Sequence, residues 1–191
     1  MNRALHYDDV ALIPRYFDGT SRSLISTNMT LGNKTFRLPV IPANMKCVID
    51  ESIAEKLQKN NYFHIMHRFN IDNYEHVLKA NQDGWNNISI SVGVKDEDFF
   101  TLRKILDANL TVDYITVDIA HGDCKSMREM LHFLREHYTN TFIIAGNVGT
   151  VSGAQSLYDW GANAVKVGIG PGKSCITKLK TGFYTPMFST I

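Results

Sequence analysis

The sequence has few cysteines, and no two of them are close together. Cys47, Cys124 and Cys175 are odd in number and widely spaced, which argues against a disulfide framework and for reduced thiols. No apolar run approaches the roughly 20 residues needed to cross a bilayer. The segment that begins at Met1 lacks the apolar core of a signal peptide. We therefore expect a cytoplasmic protein with no membrane contact.

The sequence also lacks a strong charge of either sign. Its formal net charge is +1, and lysine and arginine are scattered along it. No strong field therefore favours nucleic acid as a partner. The 191 residues are 44% hydrophobic and 20% charged, which is typical of a globular domain with a large core. We expect residues 1–191 to form a single domain.

Residues 1–37 are predicted to form an arm that ends in a pair of strands. The strands are residues 27–31 and 34–38, joined by a turn at Gly32 and Asn33. At the other end of the sequence, we interpret residues 183–191 as the start of a flap or a truncated tail.

Between these two segments, residues 38–182 repeat one unit: an apolar strand, a polar loop and an amphipathic helix. The helices show the expected apolar spacing, for example at Phe100, Ile105 and Leu106. The predicted strands are 40–44, 62–67, 87–92, 114–119, 142–146 and 164–169. The predicted helices are 51–60, 72–81, 96–108, 125–138 and 152–160.

Strand–helix units at even spacing predict an α/β fold with a parallel sheet, which is either open and doubly wound or closed into a (β/α)8 TIM barrel. Polar residues that follow the strands favour the barrel, because a barrel gathers all the strand ends on one face. These residues are Asn44, His67, Ser91, Asp118, Asn147 and the loop at Gly170. A complete barrel has eight units and about 250 residues. We therefore expect these six units to be the N-terminal part of a longer polypeptide that closes the barrel.

The strongest chemical signal follows the sixth predicted strand. That strand breaks at Gly170-Pro171-Gly172 and leads to Cys175 on a loop, with Thr177 two residues further on. A lone cysteine is most often a small buried apolar residue. Here the glycine-rich loop and the nearby Lys173 and Lys178 favour an exposed thiolate, and the Thr177 hydroxyl can relay a proton. We interpret Cys175 as a nucleophile.

Other polar residues have two interpretations, and the residues alone leave both open. Asp118 either orients a ligand or caps the helix that follows it. Asn147 either binds a ligand or satisfies the backbone of its own loop. His64 and His67 are not interpreted as a metal pair, because three positions along a strand place two side chains on opposite faces. Glycines 168, 170 and 172 lack the spacing of a dinucleotide fingerprint.

Several stretches together resemble the IMP dehydrogenase and GMP reductase family. They occur in the family's order along essentially the whole sequence, at Tyr7–Pro14, Pro42–Met45, His67–Arg68, Asp118–Gly122, Ala145–Val148 and Lys166–Lys178. The second predicted strand passes directly into its helix, with no room for the large regulatory insertion that IMP dehydrogenases usually carry. The sequence is therefore more similar to the GMP-reducing branch of the family.

The resemblance implies a (β/α)8 barrel that converts GMP to IMP and ammonia with NADPH in purine salvage. It implies that Cys175 attacks purine C2 to form a thioimidate and that Thr177 helps protonate the leaving amine. Arg68 stands where some relatives carry a proton-relaying lysine, and that role is not transferred because arginine stays protonated.

The resemblance also implies binding residues for each ligand. The substrate-binding residues would be Asn147, Gly170, Gly172, Lys173 and Ser174. The cofactor-binding residues would be Ser91 and Asp118. A potassium ion would be held by the backbone carbonyls of Gly170, Gly172 and Cys175. Family members commonly form homo-tetramers, so the resemblance implies a homo-oligomer.

Two alternatives remain open on the sequence. One is an IMP dehydrogenase that lacks the regulatory insertion and oxidises the same base through the same cysteine. The other is a truncated, non-catalytic barrel fragment that only binds a partner.

Overall fold

Short strands alternate with helices along the chain. A computed structural model describes residues 3–172 and 175–191. The strands are β1 (Met29–Leu31), β2 (Lys34–Phe36), β3 (Ser89–Val92), β4 (Tyr114–Asp118), β5 (Phe142–Val148) and β6 (Ala164–Val167). The helices are α1 (Glu51–Lys59), α2 (Asn73–Gln82), α3 (Asp96–Asp107), α4 (Lys125–His137), α5 (Val151–Asp159), α6 (Thr177–Thr181) and α7 (Met187–Thr190). Two short 3-10 turns lie in the N-terminal arm at Tyr7–Asp9 and Arg22–Leu24.

The predicted strand pair of the arm is confirmed as an antiparallel hairpin. β1 pairs with β2, and the turn between them uses Gly32 at φ +64°. A side chain at position 32 would be strained by this φ, and its Cβ would lie 2.8 Å from the ring of Phe142. The hydroxyl of Tyr114 donates a hydrogen bond to the carbonyl of Leu31 over 2.7 Å. The hairpin is thereby fixed against the start of β4.

The four remaining strands form one parallel sheet whose order in space is β3-β4-β5-β6. This order follows the sequence without a reversal, whereas a doubly wound sheet reverses direction at a switch point. Right-handed crossovers in a single direction place every helix on the same side of the sheet. One large core cluster agrees with this arrangement, because it joins apolar side chains of α2 to α5 to one face of β3 to β6.

The other face of the sheet, which we call the inner face, is not covered by these helices. At its amino end it is apolar, where Tyr114 and Ile144 pack with Phe36, Phe63 and Ile65 in a second core cluster. Because successive residues of a strand alternate between faces, inner positions further along the strands hold polar side chains. The inner face therefore has a sealed apolar end at the hairpin and a polar end where the strands finish.

Two of the six predicted strands are wrong, because neither joins the sheet. Residues 40–44 and 62–67 have no strand pairing. Residues 63–67 are all buried, but β3 contacts them through a side chain: Oγ of Ser91 donates to the carbonyl of Met66. Val40 and Ile41 are 65% and 42% exposed, and no strand among the described residues pairs with them.

The five predicted helices are confirmed to within one residue at each end. Side-chain caps fix several of the starts: Asp50 accepts from the N–H of Ile53, Asp72 from that of Tyr74, and Thr150 from that of Gly153. The apolar face predicted for α3 is partly wrong. Phe100 is 71% exposed, and Leu102 occupies the buried position with Ile105. Among the described residues, no helix has the length and hydropathy of a membrane span.

Two buried histidines lie behind the sheet around Trp85. The rings of His64 and His76 contact the indole edge-on, at centroid distances of 6.3 and 5.5 Å. Both ring nitrogens of His64 are buried without a hydrogen-bond partner among the described residues. Burial, and then the nearby His76, lower the pKa of His64 to about 4. Burial also lowers the pKa of His76, although Glu51 partly opposes this effect.

We predict that these histidines make the fold sensitive to acid. Their native pKa lies below the unfolded value of about 6.5, so their stabilising effect is complete above that pH and is lost as the pH falls toward 4. Between pH 7.5 and 4.5, His64 alone should lower the free energy of unfolding by about 2 to 3 kcal/mol. Urea unfolding at both pH values measures the change.

The comparison for this prediction is a pair of variants. His64→Leu removes the titrating group from the core and should flatten the dependence of stability on pH. His132→Leu, on the exposed side of α4, should keep the wild-type dependence. An unchanged dependence in His64→Leu would contradict the assignment to this cluster.

Candidate active site

Four polar side chains meet at the carboxyl ends of the parallel strands. Lys166 of β6 lies at their centre: its Nζ donates to Oδ1 of Asn44 and to Oδ1 of Asp118, each over 2.8 Å. Nδ2 of Asn44 in turn donates to Oγ of Ser91 over 3.3 Å. We call Asn44, Ser91, Asp118 and Lys166 the strand-end cluster. It connects four separate segments of the chain.

Asp118 is held through both its side chain and its backbone. Its carboxylate pairs with the Lys166 ammonium, and the two side chains are only 19% and 26% exposed. Its carbonyl accepts a hydrogen bond from Nε of Arg68 over 3.0 Å. Asp118 does not cap the following helix, because the residue at the cap of α4 is Cys124. Of its two interpretations, helix capping is therefore wrong, and the carboxylate is held in one orientation within the cluster.

Ser91 lies beneath Asn44 and is completely buried. Its hydroxyl donates to the carbonyl of Met66 over 2.5 Å and accepts from Asn44. The predicted contact between Ser91 and a cofactor stays a prediction. In this structure the hydroxyl supports the Asn44 amide from below.

Lys166 is the member of the cluster that the sequence analysis does not single out. A signal for it exists in the sequence: a lysine between two valines of an apolar strand faces the inner side if those valines face the helices. Gly146, its neighbour on β5, gives it space, because a Cβ at that position would lie 2.5 Å from Cβ of Lys166.

Asn147 links the end of β5 to the loop that follows β6. Its Nδ2 donates to the carbonyl of Gly168 over 3.0 Å, so the amide satisfies the backbone of a neighbouring loop. Gly168 and Gly170 have φ values of +121° and +71°, which other residues rarely adopt. Gly172 is exposed. Of the other predicted substrate-binding residues, Lys173 and Ser174 lie outside the described part of the chain.

Cys175 is partly exposed at the end of this loop, directly before α6. Its Sγ lies 3.3 Å from the hydroxyl oxygen of Thr177. Hydrogen bonds to the thiolate from the Thr177 side chain and backbone lower the pKa of Cys175, and the charge of Lys178 adds to this effect. The thiol is therefore more ionised near neutral pH than an ordinary cysteine, as nucleophilic catalysis requires.

A cavity of about 390 Å³ borders Thr177. Its walls come from the loop after β4, the end of β5, Ile169 and the segment that runs from Thr177 to Thr185. Val148, Ile169 and Phe183 make much of the surface apolar. This volume lies within the range of small-molecule sites. The cavity therefore brings the residues that follow Asp118 and Asn147 together with the hydroxyl beside Cys175.

Residues 183–191 are predicted as a flap start or truncated tail. Phe183, Tyr184 and Thr185 at the start of this segment line the cavity, and the segment then carries α7. The N–H of Thr185 donates to the carbonyl of Ile169 over 3.3 Å. The hydroxyl of Tyr184 lies 2.6 Å from Nε2 of His6 in the N-terminal arm. The arm thus contacts the wall of the candidate site.

We predict that the Thr177→Val variant raises the pKa of the Cys175 thiol, because the leading cause of its lowered pKa is the Thr177 side chain. Alkylation of Cys175 by iodoacetamide at pH 7 should slow severalfold, and its rate profile should move to higher pH. Peptide mass spectrometry separates Cys175 from Cys47 and Cys124. The control is Thr101→Val, at a threonine of α3 whose hydroxyl donates to the carbonyl of Glu97. Equal rates in both variants would contradict the proposed role of the hydroxyl.

Comparison with known proteins agrees with this arrangement. Residues 4–191 match the family described as IMP dehydrogenase / GMP reductase domain. The chain is 49% identical over 179 residues to the GMP reductase of Paracidovorax citrulli, covering 94% of this chain and 55% of that protein. It is 47% identical over 185 residues to the GMP reductase of Bacillus subtilis, covering 97% of this chain and 57% of that protein. The chain therefore spans about half the length of the curated relatives it matches.

A solved structure supports the same assignment. The inosine 5'-monophosphate dehydrogenase of Legionella pneumophila superimposes with a TM-score of 0.86 at 34% identity, over 98% of this chain and 58% of that one. The predicted fold class is thereby confirmed as part of a (β/α)8 TIM barrel. With a family match along nearly its whole length and relatives close to half identical, this chain belongs to the IMP dehydrogenase / GMP reductase family.

Proposed function

We propose that the protein containing this chain converts GMP to IMP and ammonia with NADPH. The observation that carries the proposal is Cys175, a partly exposed thiol with a lowered pKa beside a hydroxyl that lines a cavity. The choice of reaction is supported by relatives named GMP reductase at 47% to 50% identity.

Cys175 and Thr177 account for the removal of the amine. The Cys175 thiolate adds to C2 of the guanine ring and forms a carbon–sulfur bond, and the bond from C2 to the exocyclic nitrogen then breaks. The nitrogen leaves as ammonia after it is protonated, and the Thr177 hydroxyl at 3.3 Å from Sγ is near enough to pass a proton. A thioimidate then joins Cys175 to the purine. NADPH, when bound, supplies the hydride that C2 needs before the thiolate leaves and IMP is formed.

The cavity beside Thr177 fits the ring of a nicotinamide cofactor, since it has the volume of a small-molecule site and largely apolar walls. Asp118 ends β4, and the loop that follows β4 lines the cavity. Its carboxylate is held by Lys166. Ser91 acts through Asn44, whose amide it supports. We assign these residues to the cofactor half of the site.

The purine nucleotide is assigned to the loop between β6 and Cys175. Asn147 holds this loop at Gly168 and lies beside the position proposed for the substrate. Gly170 and Gly172 carry no side chain, so backbone N–H groups near them can approach a phosphate closely. Lys173 and Ser174 complete the proposed set of substrate contacts.

A second candidate function is the oxidation of IMP by an IMP dehydrogenase. The superposition on the Legionella pneumophila enzyme favours it. In this reaction too, Cys175 would attack C2 of the purine. Against it, β3 follows α2 without an inserted domain. The third interpretation is a barrel fragment that only binds a partner, and the same experiment tests it.

We predict that the protein, expressed from its own gene, oxidises NADPH when GMP is present and releases IMP and ammonia. Cys175→Ala should lower the rate by about 1000-fold or more, because the nucleophile is lost. Absorbance at the NADPH band and mass spectrometry of the nucleotide measure both quantities. Cys47→Ala removes an exposed cysteine and should leave the rate unchanged.

Each other result selects a different interpretation. Turnover of IMP with NAD, and none of GMP with NADPH, would select the dehydrogenase. Folded protein that turns over neither nucleotide would select the binding fragment. Full activity in Cys175→Ala would exclude Cys175 as the nucleophile.

We propose potassium as a second ligand of the loop. The carbonyl of Gly172 accepts the N–H of Cys175 over 3.0 Å, which leaves its second lone pair for a cation. Together with carbonyls of Gly170 and Cys175 it offers the oxygen ligands that such a hard ion prefers. Among the described residues, no group of three His, Cys, Asp or Glu side chains could hold a metal, so only the backbone is assigned.

We predict that replacing potassium by tetramethylammonium at constant ionic strength lowers the rate of NADPH oxidation at least tenfold. Restoring potassium should recover it with a saturable dependence on concentration. A rate that stays the same in both salts would refute the potassium site and leave the assignment of Cys175 intact.

A further inference from the structure

We propose that Lys166 is a positioning residue for the cofactor half of the site. It acts by holding Asn44 and Asp118 in fixed orientations at the open end of the barrel. This inference rests on the proposed function, because it assigns Asp118 to the cofactor side. Its own support is the position of one ammonium group between two side chains from distant segments.

Lys166 is the member of the strand-end cluster that bonds directly to both Asn44 and Asp118. Its Nζ lies 2.8 Å from Oδ1 of Asp118 on β4 and 2.8 Å from Oδ1 of Asn44, which precedes α1. Since an ammonium group donates up to three hydrogen bonds and accepts none, the facing atoms of both partners must be oxygens. The bond therefore fixes which way the Asn44 amide points: its oxygen faces Lys166 and its nitrogen faces Ser91.

The absence of a side chain at Gly146 gives the Lys166 side chain space on the inner face of the sheet. Its neighbour Gly146 has no Cβ, and one placed there would lie 2.5 Å from Cβ of Lys166 and 2.8 Å from its carbonyl oxygen. The Asp118 backbone is held separately by Arg68. A carboxylate whose backbone is fixed can move only about its own side-chain bonds, and Lys166 restrains those.

A second lysine–aspartate pair in the same chain shows what a purely structural role would look like. Lys34 of β2 contacts Oδ1 of Asp113 over 2.6 Å, with side-chain exposures of 29% and 20%. The Lys166–Asp118 pair has nearly the same exposures, 26% and 19%. Asp113 directly precedes β4, so its pair lies at the hairpin end of the sheet, whereas Asp118 ends the same strand. Two ion pairs of similar burial thus lie at opposite ends of one strand.

Loss of the ammonium at position 166 should have a local effect. The Asp118 carboxylate and the Asn44 oxygen would lose their shared donor and adopt several orientations. The contact between Cys175 and Thr177 joins residues two positions apart and does not involve Lys166. Cofactor binding should therefore weaken, while the reactivity of the thiol is preserved.

The test compares Lys166→Met with Lys34→Met in the protein expressed from its own gene. Lys166→Met should raise the KM for NADPH about 10- to 100-fold, the range expected for losing charge-assisted hydrogen bonds, and should change the KM for GMP less than threefold. Lys34→Met should leave both KM values unchanged. The two variants should lower thermal stability by similar amounts. Lys166→Arg keeps the donor and should restore most of the NADPH affinity.

Two further measurements do not depend on turnover. The side-chain amide signals of Asn44 in a ¹⁵N NMR spectrum should shift or broaden in Lys166→Met and stay in place in Lys34→Met. Alkylation of Cys175 by iodoacetamide should have the wild-type rate in both variants.

The possible failures are distinct. If the wild-type protein neither binds nor oxidises NADPH, the proposed function fails and this inference fails with it. If the wild-type protein is active but Lys166→Met and Lys34→Met have the same KM for NADPH, only the role of Lys166 is refuted. An unchanged Asn44 signal in Lys166→Met would also refute it, because the amide would not depend on the ammonium.

Discussion

Alternation of side chains along the parallel strands is the constraint on which this structure depends. All the long helices that flank β3 to β6 pack on one face of the sheet, so every second strand residue faces inward and receives no cover from a helix. At the amino end the hairpin supplies that cover with aromatic and aliphatic groups. At the carboxyl end the inward positions are polar, and partly buried charges are costly unless they are paired. The bonds among Asn44, Ser91, Asp118 and Lys166 meet that requirement.

The helices could be predicted closely from the sequence because their signals are local. An aspartate or threonine cap, followed by apolar residues at helical spacing, lies within a few positions, as at Asp50, Asp72 and Thr150. Strand membership is not a local property. Residues 62–67 are as apolar and buried as a strand requires, yet their backbone does not pair with β3. Phe100 lies five positions before Ile105, about 140° around the helix, and is on the exposed side of α3, whereas Leu102, three positions before Ile105, packs beside it.

The two halves of the candidate site also differ in how far the sequence alone predicts them. Cys175 and Thr177 are two residues apart, so their contact could be inferred from the sequence together with the glycine-rich loop. For the strand-end cluster, the sequence predicts polar residues at the ends of strands but not the bonds among them. Its hub, Lys166, bonds to residues 48 and 122 positions away, and pairing over such separations depends on how the strands are arranged in space. The bond between Asn44 and Ser91 likewise joins residues 47 positions apart, and the contact of Ser91 with a cofactor stays a prediction.

The two ends of β4 show how one kind of interaction can serve two purposes. At the hairpin end, Lys34 contacts Asp113 and also donates to the carbonyl of Asn86, while the other Asp113 oxygen accepts the N–H of Ile88. That pair is therefore linked to backbone groups and joins the hairpin to the sheet. At the opposite end, Lys166 links two side chains, Asn44 and Asp118, whose carboxylate and amide can also turn toward a ligand. A charge that orders side chains at an open rim prepares them for binding before the ligand arrives, which reduces the entropy that binding must overcome. The position of each pair on the strand, more than its chemistry, separates the structural lysine from the one proposed to serve the site.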